Sequence, residues 1–187
     1  MTQLEMVGSK RRPSIVAVIA VAALMAACGE TVNPPPTPPS PTPTPLPPPR
    51  VIVEGADSLE AGFIGQLAPF VTTLPGRIDA TVDWTFATND VDALLVRGTC
   101  SFEQLEAGEC AVLGAAMSST AKPEKVSVPN VAPGTYTFFI ANMGPEDESV
   151  SFQIVLTPSA ATASTAAPRG QAVPEKIRRL RGRAEIR

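Results

Sequence analysis

The stretch that decides the fold reads Arg77-Ile78-Asp79-Ala80-Thr81-Val82-Asp83-Trp84-Thr85-Phe86. Its apolar and polar side chains alternate strictly from Ile78 to Phe86. Successive side chains of a β-strand point to opposite faces, so a period of two predicts a strand with one buried face and one solvated face. On this register Trp84 is expected in the core, rather than on the surface as a platform for sugars, and Asp83 points to solvent.

Further β-runs follow along the chain. Residues 150–156 alternate in the same way, and residues 136–141 and 91–96 are strong apolar runs. Weaker candidates are residues 67–74, 110–117 and 125–128. The runs are separated by turn signals, namely Pro75-Gly76, Asn89-Asp90, Pro133-Gly134 and Gly144-Pro145. Short strands at this spacing predict an all-β fold, an antiparallel β-sandwich or jelly roll.

The alternation also predicts which side chains form the core. Trp84, Phe138 and Ile154 are expected to be buried on facing sheets. The neighbours expected to point outward, or to lie at an edge, are Asp83, Thr137 and Gln153. Residues 101–107 could form one helical turn between two cysteines.

The N-terminal residues have the pattern of an exported protein. Basic residues at 10–12 precede an apolar run at 15–25, and two alanines then precede Cys28. A basic region, a short apolar region and small residues before a cleavage point define a secretory signal peptide. The apolar segment is too short for a membrane-spanning helix, which needs about 20 residues.

With its cysteine at the cleavage point, this segment resembles the lipobox of bacterial lipoproteins. The resemblance implies that residues 1–27 are a signal peptide, and that Cys28 receives acyl chains such as palmitate and becomes the N-terminus. Two acyl chains suffice for stable anchoring in a membrane. The expected location is therefore the cell envelope, where the chain is lipid-anchored to a membrane and faces outside the cytoplasm.

The next part of the chain is dominated by proline. Residues 34–49 contain only Pro, Thr, Ser and Leu, a composition that favours polyproline II at about 3.1 Å per residue. We therefore expect the lipidated cysteine and a Pro-rich linker over 28–50, and a β-sandwich domain over 51–158. Residues 159–187 are expected to be a disordered tail, rich in Ala, Thr and Ser at first and then basic.

Charge is distributed unevenly along the chain. Between Arg50 and Pro158 there are fourteen acidic and five basic residues, whereas the tail after Ala167 has seven basic and two acidic residues. An acidic domain argues against nucleic acid as a partner, because binding to phosphate groups requires Lys and Arg. The basic tail has two open interpretations, contact with an anionic surface or a solvated disordered segment.

Two cysteines remain after Cys28. Cys100 and Cys110 lie in a domain that is expected to be exported, where disulfides form and persist. We predict that they pair, and that the closed loop stabilises the domain by roughly 2.5–3 kcal/mol. The alternatives are two free thiols or a metal site, but the chain contains no histidine to complete such a site.

Several short motifs occur together in the sandwich region. Phe70-Val71-Thr72-Thr73-Leu74-Pro75-Gly76 leads into the strand that ends at Trp84, and Asn89-Asp90-Val91-Asp92 opens the next run. Further on comes Val131-Ala132-Pro133-Gly134-Thr135-Tyr136. Over residues 58–157 these motifs resemble the bacterial pre-peptidase C-terminal domain family. The resemblance implies a β-sandwich that is usually appended to a secreted peptidase or other hydrolase, a domain that this sequence does not contain.

Calcium is the one cofactor that the sequence suggests, and no other is expected. Some members of the resembled family bind calcium near the start of the domain, and calcium takes roughly six to eight oxygen ligands. The candidate ligands are Glu54, Asp57 and Glu60 near the start of the domain, and Asn89, Asp90 and Asp92 in a turn that enters a strand. The alternative for Asp90 and Asp92 is ordinary polarity at a turn and a strand edge.

The sequence contains none of the common catalytic arrangements. It has no histidine for a Ser-His-Asp triad, and it has neither a nucleophile elbow nor a phosphate-binding loop. A carboxylate pair could in principle serve glycoside hydrolysis, but acids on a small domain are mostly a solvated surface. We therefore expect a protein that is not an enzyme.

Two classes of function remain open. The first is a membrane-anchored, non-catalytic surface lipoprotein that displays a β-sandwich binding or adhesion module on a Pro-rich stalk, for a cell-wall polysaccharide or a protein. The second is a structural or accessory lipoprotein that assists the secretion, folding or tethering of another exported protein, such as a peptidase. An exposed row of aromatic side chains on one sheet face would favour the first.

Overall fold

A computed structural model describes residues 45–160, residues 170–177 and the backbone of residues 181–182. The predicted signal peptide, Cys28 and most of the Pro-rich linker lie outside these residues, so the predictions made for them stay predictions. In the part of the chain that is described, no helix is long and apolar enough to cross a membrane.

The described chain forms two β-sheets and one short helix. In chain order the elements are β1 (Arg50–Leu59), β2 (Phe63–Gln66), β3 (Phe70–Thr72), β4 (Gly76–Trp84), β5 (Val91–Arg97), α1 (Phe102–Ala107), β6 (Ala111–Ala116), β7 (Glu124–Val131), β8 (Gly134–Asn142), β9 (Glu148–Pro158) and β10 (Arg181–Gly182). Sheet A has the order β1-β9-β4-β7, and sheet B has the order β10-β2-β8-β5-β6 with β3 also paired to β8. Neighbouring strands are antiparallel, except that β10 runs parallel to β2. The predicted all-β sandwich is confirmed.

Strand β4 lies inside sheet A, between β9 and β7. Its alternate side chains from Ile78 to Trp84 are buried, as the sequence predicts. The expectation that Phe86 continues this buried face is wrong, because the strand ends at Trp84 and the Phe86 side chain is 49% exposed. The chain leaves the sheet there because the backbone N–H groups of Thr85 and Phe86 donate to the Glu148 carboxylate instead of to a strand.

The two sheets enclose one apolar core. Trp84 and Ile154 enter it from sheet A and Phe138 enters it from sheet B, and all three are buried as predicted. Asp83 and Gln153 are exposed on the opposite face of sheet A, also as predicted. The strand register that the sequence predicts for β4 and β9 is therefore correct.

The outward face of sheet B is also buried, which differs from the expectation. Thr137, expected to point outward, is fully buried; its hydroxyl donates to the Gly98 carbonyl at 2.8 Å and accepts from the Cys100 N–H at 3.3 Å. A second apolar cluster covers this face, and its members include Ile64, Leu94, Val96, Leu105, Phe139 and Ala141. Strand β5 is consequently buried on both faces, from Val91 to Val96.

Residues 170–177, called the strap below, lie on this second cluster. Val173 and Ile177 are buried in it, and the Gln171 N–H donates to the Val112 carbonyl at 2.7 Å. The expectation of a disordered tail is therefore wrong for the strap. The reason is that Val173 and Ile177, although isolated in the sequence, pack against an apolar sheet face that would otherwise meet water. The rest of the tail, residues 161–169, 178–180 and 183–187, lies outside the described residues.

The loop between β5 and β6 is closed by the predicted disulfide. Cys100 and Cys110 are bonded, with their Cα atoms 6.0 Å apart. The predicted helical turn is also present: the Ser101 hydroxyl accepts from the Gln104 N–H at 3.3 Å, and the Gln104 side chain accepts from the Ser101 N–H at 2.9 Å. This reciprocal capping fixes the start of α1. The helix ends at Gly108, whose φ of 75° is in the left-handed region that favours glycine.

Strands β1 and β2 were not indicated by the sequence pattern. Strand β1 interrupts its apolar residues with Glu54, Gly55 and Asp57, so its alternation is weak. It nevertheless pairs with β9 from Arg50 to Leu59. The position of β1 at the edge of sheet A explains this weak pattern, because an edge strand buries only part of its surface.

Candidate functional site

The outer face of sheet A carries a shallow groove across β1, β9 and β4. The groove is lined by Glu54, Gly55, Thr81, Asp83, Ser151, Phe152 and Gln153. Strand pairing arranges the outward side chains in two rows, one of Glu54, Gln153 and Thr81 and the next of Ala56, Ser151 and Asp83. Because residues opposite each other in neighbouring strands stand about 5 Å apart, these side chains present a compact array to a ligand.

Small residues give the groove its depth. Ser151 lies at the centre of its row, with Ala56 on one side. Glycine is required at position 55 because the Phe152 ring packs against it: a Cβ atom there would lie 2.8 Å from Cζ of Phe152. A larger residue at Gly55 would displace the Phe152 ring, and a larger residue at Ser151 would fill the groove from above.

The groove is acidic and rich in hydrogen-bonding groups. Its exposed or half-buried polar side chains are Glu54, Thr81, Asp83, Ser151 and Gln153. Gln153 Nε2 donates to Glu54 Oε2 at 3.4 Å, a long hydrogen bond that leaves both groups able to bind a ligand. Lys122 lies at the rim, with Nζ 3.3 Å from Asp83 Oδ1. The lining can therefore donate and accept hydrogen bonds, and its net charge is negative.

An aromatic row does not accompany this groove. The large apolar side chains exposed in the described residues are Leu46, Val51, Val71 and Phe86. Trp84 is buried, its indole N–H donates to the Asn89 carbonyl at 3.2 Å, and the Lys122 ammonium lies 5.3 Å from its ring centroid. Trp84 is therefore a core residue, as its register predicts.

A buried polar network holds the loop that follows β4. The Glu148 carboxylate accepts from the Thr85 N–H at 2.7 Å, from the Phe86 N–H and from Asn89 Nδ2 at 2.8 Å. Asn89 Nδ2 also donates to the Glu146 carbonyl at 2.7 Å. These N–H donors satisfy the Glu148 carboxylate. Glu148 is only 1% exposed, and burying its charge without hydrogen bonds would be costly. No sequence pattern pointed to Glu148, because its partners Thr85, Phe86 and Asn89 lie about 60 residues earlier in the chain.

The structure separates the predicted calcium ligands into four places. Glu54 lies in the groove, whereas Asp57 lies further along β1 and Glu60 lies just after the end of that strand. Asn89 belongs to the buried network of the β4 loop, and Asp90 and Asp92 lie beside the strap. The described residues contain no group of three or more acidic, histidine or cysteine side chains placed to hold a metal ion. Calcium binding stays a prediction, and these residues do not form one site for it.

Asp92 is a fully buried carboxylate that faces the strap. Lys176 Nζ lies 2.7 Å from Asp92 Oδ2 and 2.9 Å from Asp92 Oδ1, and it lies 3.9 Å from Asp90 Oδ2. The pKa of Asp92 is raised to about 6, chiefly by burial and less by the nearby charges of Asp90 and Glu124, while Lys176 opposes this shift. The one signal in the sequence was an acid inside the apolar run of β5; nothing there pointed to Lys176, which is distant along the chain.

Comparison with known proteins leaves the family open. No protein-family model matches this sequence, and no curated protein matches it. Among solved structures, the chain is similar to the Yersinia pseudotuberculosis-derived mitogen YPM, at 15% identity and a TM-score of 0.33 over 62% of this chain and 99% of that one. It is also similar to a family two carbohydrate esterase from Cellvibrio japonicus, at 11% identity and a TM-score of 0.25 over 65% of this chain and 36% of that one. Likenesses this distant carry no argument about function, and the resemblance to the pre-peptidase C-terminal domain family stays a prediction.

Proposed function

We propose that this chain is a non-catalytic lipoprotein of the cell envelope, anchored to a membrane through Cys28, whose β-sandwich is a binding or adhesion module. The order of a signal-like segment, a cysteine, a Pro-rich stretch and a folded domain supports this arrangement. The lack of histidine in the sequence supports a role in binding rather than in acid–base catalysis.

The polar groove on sheet A is the observation that carries the binding role. Hydroxyl, amide and carboxylate groups at Thr81, Ser151, Gln153 and Asp83 can exchange hydrogen bonds with a ligand that is itself rich in hydroxyl groups. The carboxylates of Glu54 and Asp83 favour a neutral or amine-bearing ligand over an anionic one, because like charges across an interface are costly. A polysaccharide of the cell wall with these properties is the ligand class that fits.

A pair of matched substitutions tests the groove. Ser151→Arg places a long side chain in the centre of the groove, whereas Ser149→Arg makes the same change at an exposed position of the same strand, on the same face and outside the groove. Binding of the full chain to purified insoluble wall polysaccharide is measured by co-sedimentation. We expect Ser151→Arg to weaken binding by about tenfold or more, the equivalent of one or two hydrogen bonds. Equal binding by both variants and the parent would contradict the groove as the site.

The second candidate function is an accessory role towards another exported protein. It is favoured by one specific observation, the lack of an exposed aromatic row in the described residues, since sugar-binding faces commonly use aromatic rings to stack on their ligand. A protein partner would use the same acidic groove through its basic side chains. Cross-linking in intact cells distinguishes the two roles: a defined exported protein captured by the parent and lost in Ser151→Arg would support the accessory role over polysaccharide binding.

A further inference from the structure

The strap covers an apolar surface that belongs to the folded domain. Ile64, Leu94 and Phe139 lie on the outward face of sheet B, and each is at most 1% exposed. Val173 and Ile177 of the strap belong to the same apolar cluster. Without the strap, this face of sheet B would present contiguous apolar surface to water, and folded domains rarely leave such surface uncovered.

One ion pair makes this contact selective. Asp92 is fully buried on the outward face of β5, and Lys176 reaches it from the strap at 2.7 Å. A buried carboxylate that loses its cation is strongly destabilising. The surface therefore accepts a segment with a lysine next to a large aliphatic residue, as Lys176 is next to Ile177. A second aliphatic residue, here Val173, lies four positions before Ile177.

The strap is held by local contacts. In the described residues these contacts include two buried aliphatic side chains, the pairing of Lys176 and the backbone hydrogen bond from Gln171 to Val112, and beyond the strap β10 adds a two-residue pairing with β2. Ordering the eight residues of the strap costs conformational entropy, which offsets part of the stabilisation by these contacts. The chain that joins the strap to β9, residues 161–169, contains only Ala, Thr, Ser, Pro and Arg and so brings no large apolar side chain to add to the contact. Segments held by local contacts of this kind open more often than the whole domain unfolds.

We propose that the strap exchanges between copies of this chain, so that the strap of one copy occupies the outward face of sheet B of another. A second copy is the occupant because its strap brings Val173, Lys176 and Ile177 at the spacing that this face requires. The exchanged form makes the same strap contacts as the monomer. The equilibrium between monomer and exchanged form therefore depends on the linker and on the protein concentration. Exchange becomes extensive when the local concentration of chains approaches the effective concentration of the strap in its own chain, on the order of millimolar for a short linker.

Zero-length cross-linking of the unmodified chain tests this proposal. Isotopically light and heavy copies of the full chain are mixed over a range from micromolar to about millimolar concentration, incubated, and treated with a carbodiimide, which condenses a carboxylate with an adjacent amine to give an amide. Mass spectrometry then measures the peptides that link Lys176 to Asp90 or Asp92. Mixed-isotope pairs that rise with concentration, towards the limit for random exchange, are the expected result. Linked peptides that stay isotopically pure at the highest concentration would overturn the proposal, and Lys176→Gln provides the control that removes the linked product.

A charge reversal gives an independent readout. Asp92→Lys is made in one chain and Lys176→Asp in the other, so that each variant alone places like charges at its own strap contact. Opposite charges are restored at both contacts only when the two variants exchange straps. Light scattering is expected to show a one-to-one heterodimer in the mixture and monomers in each separate sample. If both variants retain the β-sheet circular dichroism of the parent and the mixture still contains only monomers, the strap does not exchange. The result is independent of the groove, which lies on sheet A.

Discussion

The stability of the domain depends on pH through Asp92, a carboxyl that the strap helps to bury. The carboxyl is fully buried, and its pKa is raised from 3.8 to about 6, chiefly because burial disfavours the charged form. Between these two values the folded protein binds more protons at Asp92 than the unfolded chain does. The free energy of unfolding therefore decreases as the pH rises through this window.

The size of the effect follows from the shift. The contribution of Asp92 to stability is fully present below pH 3.8, where its carboxyl is protonated in the folded and the unfolded protein. The contribution is lost as the pH rises through about 6. A change of about two pKa units corresponds to about 3 kcal/mol. This is a large part of the stability of an ordinary domain, about 5–15 kcal/mol, so the effect is measurable by equilibrium denaturation.

Urea denaturation across the pH range isolates this contribution. Asp92→Asn keeps the size of the side chain and removes its titration, and Asp83→Asn is the matched control at an exposed carboxylate. Between about pH 4 and pH 7 the parent is expected to lose about 2.4 kcal/mol more than Asp92→Asn, and Asp83→Asn is expected to follow the parent. Parallel profiles for the parent and Asp92→Asn would refute the reasoning, as would a parent that gains stability relative to this variant with rising pH.

Three further predictions concern the core, the strap and the lipid. Trp84→Ala should destabilise the domain by about 3–5 kcal/mol because it empties part of the core, whereas Asp83→Ala should change the denaturation midpoint little; the reverse order would contradict the register of β4. Ile177→Ala should speed hydrogen exchange at the Gln171 amide by about tenfold or more and leave β4 unchanged, since the lost burial exceeds about 1.4 kcal/mol; exchange as slow as in the parent would show that the strap is not held by this side chain. Cys28→Ala should abolish labelling with a palmitate analogue, and undiminished label would exclude lipidation at this residue.

The sandwich could be predicted from the sequence where one face of a strand meets water. The alternation in β4 and β9 indicated both the strands and the inward side chains, because each of these strands buries one face only. In sheet B the runs at 91–96 and 136–141 indicated strands, but the sequence did not indicate that both faces of the sheet are buried. Strand β5 is buried on both faces, so its apolar run has no period. The burial of Thr137 depends on the chain after β5, where the Gly98 carbonyl and the Cys100 N–H bind its hydroxyl.

The candidate sites depend on contacts between residues that are far apart along the chain. Glu54, Thr81 and Ser151 meet only because β1 and β4 both pair with β9, and β1 had no clear pattern of its own. The strap could not be predicted, because Val173 and Ile177 lie among charged and small residues in a basic tail and follow no clear period. Their burial becomes intelligible only when the sheet face that receives them is known.

Hydrogen-exchange mapping with solubilised wall polysaccharide tests the binding role of the groove most directly. The exchange of backbone amides is measured in the full chain with and without the polysaccharide, and a chemically unrelated acidic polymer provides the control. We expect slower exchange in the segments that line the groove, around Glu54, Thr81 and Ser151, with no change at the strap. Protection confined to sheet B or to the strap, or no protection anywhere under conditions where the polysaccharide is bound, would contradict this expectation.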